Sequence, residues 1–337
     1  RKPMSKPVKW GVLGYAGIAR KEVIPAMVEA QNAVPYAIAS RDVGKLDTAV
    51  QTFGFAKTYQ DYHALLADPE VEAVYIPLPN ALHKEWVLKA IRAGKHVLCE
   101  KSVMLNSREL AEAIALAEEH HVVFAEAMTI WHMPLYKKLW QIVETGDGEI
   151  PALGKVQFIQ LNFGSYKEYN MKNRFFNMNL AGGALLDIGV YALSIARSFM
   201  SSQPDQVLSQ VKYAPTGADE QEGILLMNPD GQMAALSLSL HSKQPKRAVI
   251  SCEKGYIEIM EYPRADRAIV VEAETGKVHE ITAGTTADAL LYEMTDMEDA
   301  ILNGNTGVMR LKDTRDVMEL LTGLRKEWNM KYPGEEW

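Results

Sequence analysis

Short apolar runs recur along the first part of the chain, and each is followed by a stretch whose apolar residues return at helical spacing. The runs Lys9–Leu13, Val34–Ala39, a short piece near Thr58, Ala73–Ile76, Val97–Glu100 and Val122–Ala125 predict strands. Between them the spacing predicts helices over Ile18–Ala30, Val43–Phe53, Tyr62–Ala67 and Leu82–Ala93, and a fifth from a Ser107 cap to about Glu119. Asp61 is placed to cap the third helix and Gly94 to stop the fourth. Strands alternating with helices in this way predict an α/β fold, a doubly wound parallel sheet covered on both faces, over residues 5–127.

After Pro134 the rhythm changes. A helix over Tyr136–Glu144 gives way to strand-like runs at Val156–Phe163, Val207–Tyr213, Gly223–Met227, Met233–Leu240, Ala248–Cys252, Tyr256–Met260, Ala268–Glu272 and Lys277–Ile281. Asn228-Pro-Asp-Gly231 and Glu253-Lys-Gly255 have hairpin-turn composition, and one helix interrupts, from about Ala184 to Met200. Residues 128–337 therefore predict a second, α+β domain on an open, mostly antiparallel sheet. Helices over Ala289–Leu302 and Asp313–Lys326 close the chain and are free to pack back on the first domain. The run Met233–Leu240 alternates over its second half, so the sheet has two unlike faces. The face of small hydroxyls and alanines is flat enough to meet its own copy, which predicts a homodimer, or a homotetramer behind it.

Composition excludes more than it assigns. The 337 residues, 47% hydrophobic and 23% charged, suit a globular protein of two domains. A net charge of -7 without any Lys/Arg block offers nothing to nucleic acid or to an anionic membrane surface. No apolar run is expected to reach the ~18 residues of a membrane span. Cys99 and Cys252 lie in strand-like runs and read as small buried hydrophobes of a reducing, cytoplasmic compartment. Arg1-Lys-Pro-Met4 lacks the apolar stretch of a secretion signal, and Arg1–Pro3 read as a remnant ahead of Met4. His120, His121, His132 and His241 do not fall at metal-ligand spacing, so no metal is predicted.

Candidate chemistry gathers at the predicted strand ends. Lys9–Leu13 runs into Gly14-Tyr-Ala16-Gly17-Ile18-Ala19 and then a helix, an arrangement that sets backbone N–H groups and a helix N-terminus against a pyrophosphate. Ala16 and Ala19 stand where G-x-G-x-x-G has its second and third glycines, and the same composition also fits an ordinary strand-to-helix corner. The second strand ends in Ser40-Arg41, whose hydroxyl and guanidinium suit a ribose 2′-phosphate. Asp42, one residue on, keeps a free 2′-hydroxyl open, so NADP is preferred and NAD is the alternative. The run Val97-Leu-Cys99 closes on Glu100-Lys101-Ser102. An apolar parallel strand that ends in charge opens into a crevice at the carboxyl edge of the sheet, although a surface ion pair gives the same pattern.

Four segments together, Gly14-x-Ala-x-x-Ala19, Ile76-Pro77-Leu-Pro-Asn80-x-x-His83, Cys99-Glu100-Lys101-Ser102 and Gly182-Gly-Ala-Leu-Leu-Asp187-Ile-Gly189-Val-Tyr191, resemble the glucose-fructose oxidoreductase/inositol dehydrogenase family over nearly the whole chain. The resemblance implies an N-terminal Rossmann domain and hydride transfer to or from NAD(P). It puts the family's catalytic lysine at Lys101, with Ser102 in place of the usual proline, and its nicotinamide-side positions at Pro77, Asn80 and His83. For His83 alone, a first-turn histidine bonded to a carbonyl is the commoner arrangement. Asp187 and Tyr191 fall on a family pair that usually reads Asp and His, and the tyrosine variant is similar to the dihydrodiol dehydrogenase and aldose 1-dehydrogenase subgroup. Four residues apart on a helix, the two share a face. A phenol with an ordinary pKa near ~10 needs a nearby cation to act as acid/base, and Lys101 is the motif residue that supplies one.

The expected activity is an NAD(P)-dependent dehydrogenase or reductase acting on a CH–OH/C=O carbon of a sugar, polyol or small cyclic diol. The alternative is a catalytically silent regulator of the same fold that senses dinucleotide, which has no chemical need of Lys101, Asp187 and Tyr191 together. Relatives carry an Arg and a His-Pro after the sixth strand. Trp131 and Met133-Pro134 stand there in this chain, so a different substrate wall is expected, with Arg174-Phe-Phe176 either contributing to it or simply packing.

Overall fold

The computed structural model describes residues 6–337. The remnant expected at Arg1–Pro3, the following Met4 and the first residue of the expected first domain, Ser5, lie outside the described residues. Two compact units result, one formed by residues 6–131 with Asp288–Leu311, the other by His132–Ala287 with Lys312–Glu336.

In the first unit the strands β1 (Val8–Leu13), β2 (Ala33–Ala39), β3 (Lys57–Tyr59), β4 (Ala73–Ile76), β5 (His96–Glu100) and β6 (Phe124–Ala127) form a parallel sheet in the order β3-β2-β1-β4-β5-β6. Its helices are α1 (Ile24–Glu29, entered through a π-turn, Ala19–Val23), α2 (Val43–Phe53), α3 (Tyr62–Leu66), α4 (His83–Arg92) and α5 (Ser107–Glu119). Trp10, Val12, Leu13, Tyr75, Ile76, Val97 and Leu98 are fully buried, each such aliphatic side chain contributing about 1.5–3 kcal/mol. The strand order turns around between β1 and β4, which opens a crevice outside their carboxyl ends.

Two boundaries differ from expectation. Asn106, and not Ser107, caps α5. Its Oδ1 accepts the Glu109 N–H at 2.9 Å while the Glu109 carboxylate accepts the Leu105 N–H at 3.0 Å. β6 starts at Phe124 because the preceding backbone is spent on closing α5: the Val122 N–H bonds back to Ala117 and His121 is left-handed at φ 54°. The shift brings Glu126 into the sheet, opposite Cys99.

The second unit begins with α6 (Pro134–Glu144) and continues with β7 (Val156–Gly164), α7 (Val190–Phe199, entered through a π-turn, Leu185–Gly189), β8 (Gln206–Tyr213), β9 (Asp219–Met227), β10 (Met233–Ser239), β11 (Arg247–Cys252), β12 (Gly255–Met260), β13 (Arg267–Glu272) and β14 (Val278–Thr282). The sheet runs β14-β13-β12-β11-β7-β10-β9-β8, with β7 and β10 parallel and the other pairs antiparallel. β9 starts four residues before the expected Gly223, because the acidic stretch that reads as a loop is buried: Asp219, Glu220 and Glu222 are at most 3% exposed. The closing helices divide, α8 (Ala289–Asn303) belonging to the first unit and nearly all of α9 (Leu311–Glu327) to the second. α7 and its π-turn cover the inner face of the sheet, and Gly189 permits the approach, since a Cβ there would sit 3.1 Å from Leu238 Cδ1. Contrary to expectation, one segment, Met178–Phe199, is long and apolar enough to cross a membrane by length and composition. It is this core helix, and 72% of the apolar window is buried inside the fold.

Candidate active site

The site residues of the first unit line the carboxyl edge of its sheet. Gly14 leaves β1 at φ 94°, with its N–H bonded to Ala39 O at 2.7 Å, a conformation that suits glycine alone. No side chain caps the helix that follows Ile18, and a Cβ on Gly17 would meet open space. Here lies a cavity of 560 Å³ lined by Tyr15, Ala16, Gly17, Arg20, Asp42 and Lys45, among others. Uncapped N–H groups with two cations at the rim fit the phosphates of a dinucleotide.

Ser40 is buried and its Oγ accepts the Asp42 N–H at 3.2 Å, while Asp42 Oδ1 accepts the Lys45 N–H at 3.2 Å and caps α2. Arg41 is exposed and does not line the cavity. The His63 N–H and ring hold the Asp61 carboxyl below its ordinary value, and the Arg41 charge adds to that. Arg20 and Lys45 escaped the reading of the sequence. Their signal was available: each is basic and stands in the first turns of the helix that follows one of the two cofactor-facing strands.

β4 and β5 deliver the second group. Pro77 is buried and Asn80 opens a short turn, Asn80–Leu82, that feeds α4. The Tyr75 hydroxyl donates to Glu100 Oε2 at 2.9 Å, and the Lys101–Ser102 peptide is cis. His83 is fully buried at the start of α4. Its Nε2 lies 2.6 Å from Leu78 O, and its Nδ1 lies 2.8 Å from Ser102 O and 3.2 Å from Val103 O. Only a protonated ring donates to both sides. Burial opposes that charge most, the Lys101 ammonium opposes it further, and the net effect lowers the imidazole below its ordinary value.

From the other side Glu126 Oε2 accepts the Val103 N–H at 3.0 Å. Burial raises the Glu126 carboxyl to about 7, against the pull of that N–H and of Lys101. The Lys101–Val103 loop thus has the His83 ring packed against its carbonyls and is held at an N–H by the Glu126 carboxyl. His83, expected beside a cofactor, turns both ring nitrogens into the protein.

In the second unit Asp187 lies in the π-turn and Tyr191 in the first turn of α7, both half-buried. The wide turn keeps residues four apart on one face. Arg174 Nη1 lies 3.5 Å from Asp187 Oδ1, and the Arg174 guanidinium covers the Phe175 ring. Tyr191 stacks on Phe163 with centroids 6.1 Å apart and 14° between planes, and Lys246 Nζ stands 5.0 Å from the Phe163 ring. Lys246 is a cation of this neighbourhood that no motif announced. Trp131 and Met133, expected in a substrate wall, are buried, and in the first unit the Arg310 guanidinium covers the Trp131 ring.

The start of that helix is braced from below. Asp219 Oδ2 accepts the Leu185 N–H at 2.7 Å, and the Tyr332 hydroxyl donates to Gly182 O. Gly183 sits at φ 131°, where a Cβ would lie 1.9 Å from Asp219 Oδ1, so the motif's second glycine makes room for the acid. Arg325 and Glu335, both without exposure, join through two bonds of 2.8 and 2.5 Å. Asp219 Oδ1 and both oxygens of Glu222 meet no N–H or O–H donor, so the two carboxyls suit one another only when they share a proton. Burial raises both. The Asp219 charge raises Glu222 further, while Glu222, the Leu185 N–H and Arg325 pull Asp219 back, so the two carboxyls hold one proton as a pair. Among the described residues no cluster of His, Cys, Asp and Glu could hold a metal.

Residues 8–128 match the oxidoreductase family, NAD-binding Rossmann fold model of the GFO/IDH/MocA proteins, and residues 136–258 match the GFO/IDH/MocA C-terminal domain. The chain is 31% identical to D-xylose 1-dehydrogenase (NADP(+)) 2 of Haloferax volcanii, over 94% of this chain and 95% of that one. It is 27% identical to trans-1,2-dihydrobenzene-1,2-diol dehydrogenase of Xenopus tropicalis, over 96% and 99%. A 3-ketoreductase from Actinomadura kijaniata, solved in complex with NADP and TDP-benzene, shares the fold with a TM-score of 0.85 at 23% identity, over 95% of this chain and 98% of that one.

The carboxyl pair sets a pH dependence of stability. Both groups titrate higher when folded than their ordinary values of 3.8 and 4.5, so the folded protein keeps a proton that the unfolded chain releases near pH 4. The contribution is fully favourable below that pH and is lost as pH rises, until the pair ionises. Glu222→Gln keeps an N–H donor toward Asp219 and has no proton to lose. Its Tm relative to the natural protein should therefore climb between pH 5 and pH 8, while Glu222→Ala should lose about 1–3 kcal/mol throughout. A Tm difference independent of pH for the Gln variant would remove the shared proton.

Proposed function

The chain belongs to the GFO/IDH/MocA oxidoreductase family, and from that premise we propose that it is an NADP-preferring enzyme moving hydride at a CH–OH/C=O carbon of a sugar, polyol or small cyclic diol. The observation that carries the reading is Lys101 on a loop gripped at the carboxyl edge of the nucleotide-binding sheet, in a chain whose Asp187 and Tyr191 share one helical face. A bound nicotinamide supplies the hydride acceptor or donor. In oxidation Tyr191 removes the proton from the substrate hydroxyl, and in reduction it returns it. The family resemblance assigns the Lys101 ammonium to the reacting oxygen, where it would steady the negative charge that develops. Asp187, held by Arg174, accepts a hydrogen bond from a neighbouring hydroxyl of a diol or sugar. Similarity to a D-xylose 1-dehydrogenase and to a trans-1,2-dihydrobenzene-1,2-diol dehydrogenase supports that substrate class.

Tyr191→Phe should abolish most oxidation at 340 nm while leaving cofactor affinity within a few-fold, and Lys101→Ala should lower kcat by orders of magnitude. The double variant should lose little beyond the worse single one, because groups acting on one oxygen are non-additive. Fully additive losses would make Tyr191 a packing residue.

The cofactor preference rests on Ser40, Arg41, Lys45 and Arg20. Removing Lys45 or Arg41 as Ala should weaken NADP by about 1–3 kcal/mol, the scale of a lost charge-assisted contact, and leave NAD nearly unchanged. Titration showing equal loss for both cofactors would mean that neither cation meets the 2′-phosphate.

Self-association through the second sheet is supported by exposed apolar residues on its open side, among them Leu208, Tyr256, Ile269 and Val278. Light scattering should return about twice the chain mass of 37.6 kDa or a higher multiple, and the mass of a single chain would overturn the dimer.

A further inference from the structure

We infer that Glu126 is a positioning residue for Lys101: its buried carboxylate ties down the Lys101–Val103 loop through the Val103 N–H and keeps the Lys101 amine charged. The inference rests on the catalytic role proposed for Lys101. Glu126 occupies an otherwise apolar strand, Phe124-Ala-Glu-Ala127, is 2% exposed, and stands opposite Cys99 in the sheet. Its Oε2 accepts the Val103 N–H at 3.0 Å. A carboxylate in such a place is unfavourable unless something compensates its charge. A glutamine would satisfy the Val103 N–H as well and would carry no charge into the interior, so the hydrogen bond alone does not explain an acid here.

The charged and titratable groups facing Glu126 are Lys101, Glu100 and the Cys99 thiol, with His83 under the same loop. Of these, Lys101 favours the ionised carboxyl, whereas Glu100 opposes it. The attraction is mutual. By reciprocity the ionised Glu126 carboxyl favours the charged form of the Lys101 amine. Glu126 also fixes where the amine starts from, since Val103 lies two residues beyond Lys101 and the His83 ring packs against the Ser102 carbonyl between them.

The test compares pH profiles. Glu126→Gln should fold with a Tm at pH 8 no lower than that of the natural protein, because a buried carboxyl raised to about 7 is a liability above that pH. Its NADP affinity, read by fluorescence, should stay within a few-fold. The alkaline limb of kcat/KM, where the ammonium is lost, should move several tenths of a pH unit lower. Glu126→Asp, which keeps the charge and shortens the arm, should leave that limb in place and lower kcat. A Gln profile superimposable on the natural one, alongside an inactive Lys101→Ala, would overturn the role of Glu126 and leave that of Lys101 standing. An active Lys101→Ala would remove both. Should Glu126→Gln not fold, carbon-13 glutamate labelling of the natural protein and of Lys101→Met decides the point. The Glu126 carboxyl, identified as the signal absent from Glu126→Asp, should titrate near neutrality and move to higher pH in Lys101→Met, and an unmoved midpoint would overturn the proposal.

Discussion

A parallel strand cannot return directly to its neighbour, so every strand of the first sheet needs a crossover and all six deliver their carboxyl ends to one edge. That constraint gathers the chemistry. Gly14 follows β1, Ser40 follows β2, Pro77 follows β4, Lys101 follows β5, and Glu126 lies near the end of β6. None of these residues needs the others in sequence. The change of strand order between β1 and β4 leaves room for a ligand at that edge, and no side chain caps the helix that follows Ile18 beside it. The alternating βαβ pattern therefore places residues far apart in sequence along one edge.

The second unit reaches precision by another route, through polar groups placed where no solvent can serve them. Asp219 accepts the Leu185 N–H just ahead of the Asp187–Tyr191 segment, and the proton it shares with Glu222 lets both carboxyls stay buried there. Arg325 and Glu335 close the same region from the C-terminal side. Buried polar networks of this kind specify one arrangement over many apolar ones, and each member removed leaves another unpaired.

Much of this was legible in the sequence because it is periodic. Apolar runs separated by helical spacing located the strands of both sheets to within a few residues, and the four motif segments located the family. What escaped has a common physical cause: polarity that ends up buried. Asp219, Glu220 and Glu222 read as loop because acids usually face water, so β9 seemed to begin at Gly223. Asn106 and Ser107 are both good caps, and composition does not choose between them, whereas the bond from the Glu109 N–H does. Lys45 looked like an ordinary basic residue of an exposed helix until the turn after β1 placed Arg20 on the same cavity. The long apolar segment around α7 was missed for the opposite reason, since the Gly-rich motif and Asp187 interrupt a run whose average is apolar enough to cross a membrane.

A shared division of labour links the two units. Lys101, Asp187 and Tyr191 are each half-buried, while groups bonded to nearby backbone, His83, Glu126 and Asp219, are nearly or fully inaccessible. Exposure leaves a side chain free to choose among rotamers, so the accuracy of a half-exposed group depends on how firmly its backbone is held. Burial supplies that firmness, and for an ionisable group it disfavours the charged form at the same time: Glu126 and Asp219 are raised toward neutrality by desolvation, whereas His83 is lowered away from it. The carboxyls buried to hold backbone thus become sensitive to pH near neutrality while the histidine loses that sensitivity, and in this fold rigidity and titration have a single cause.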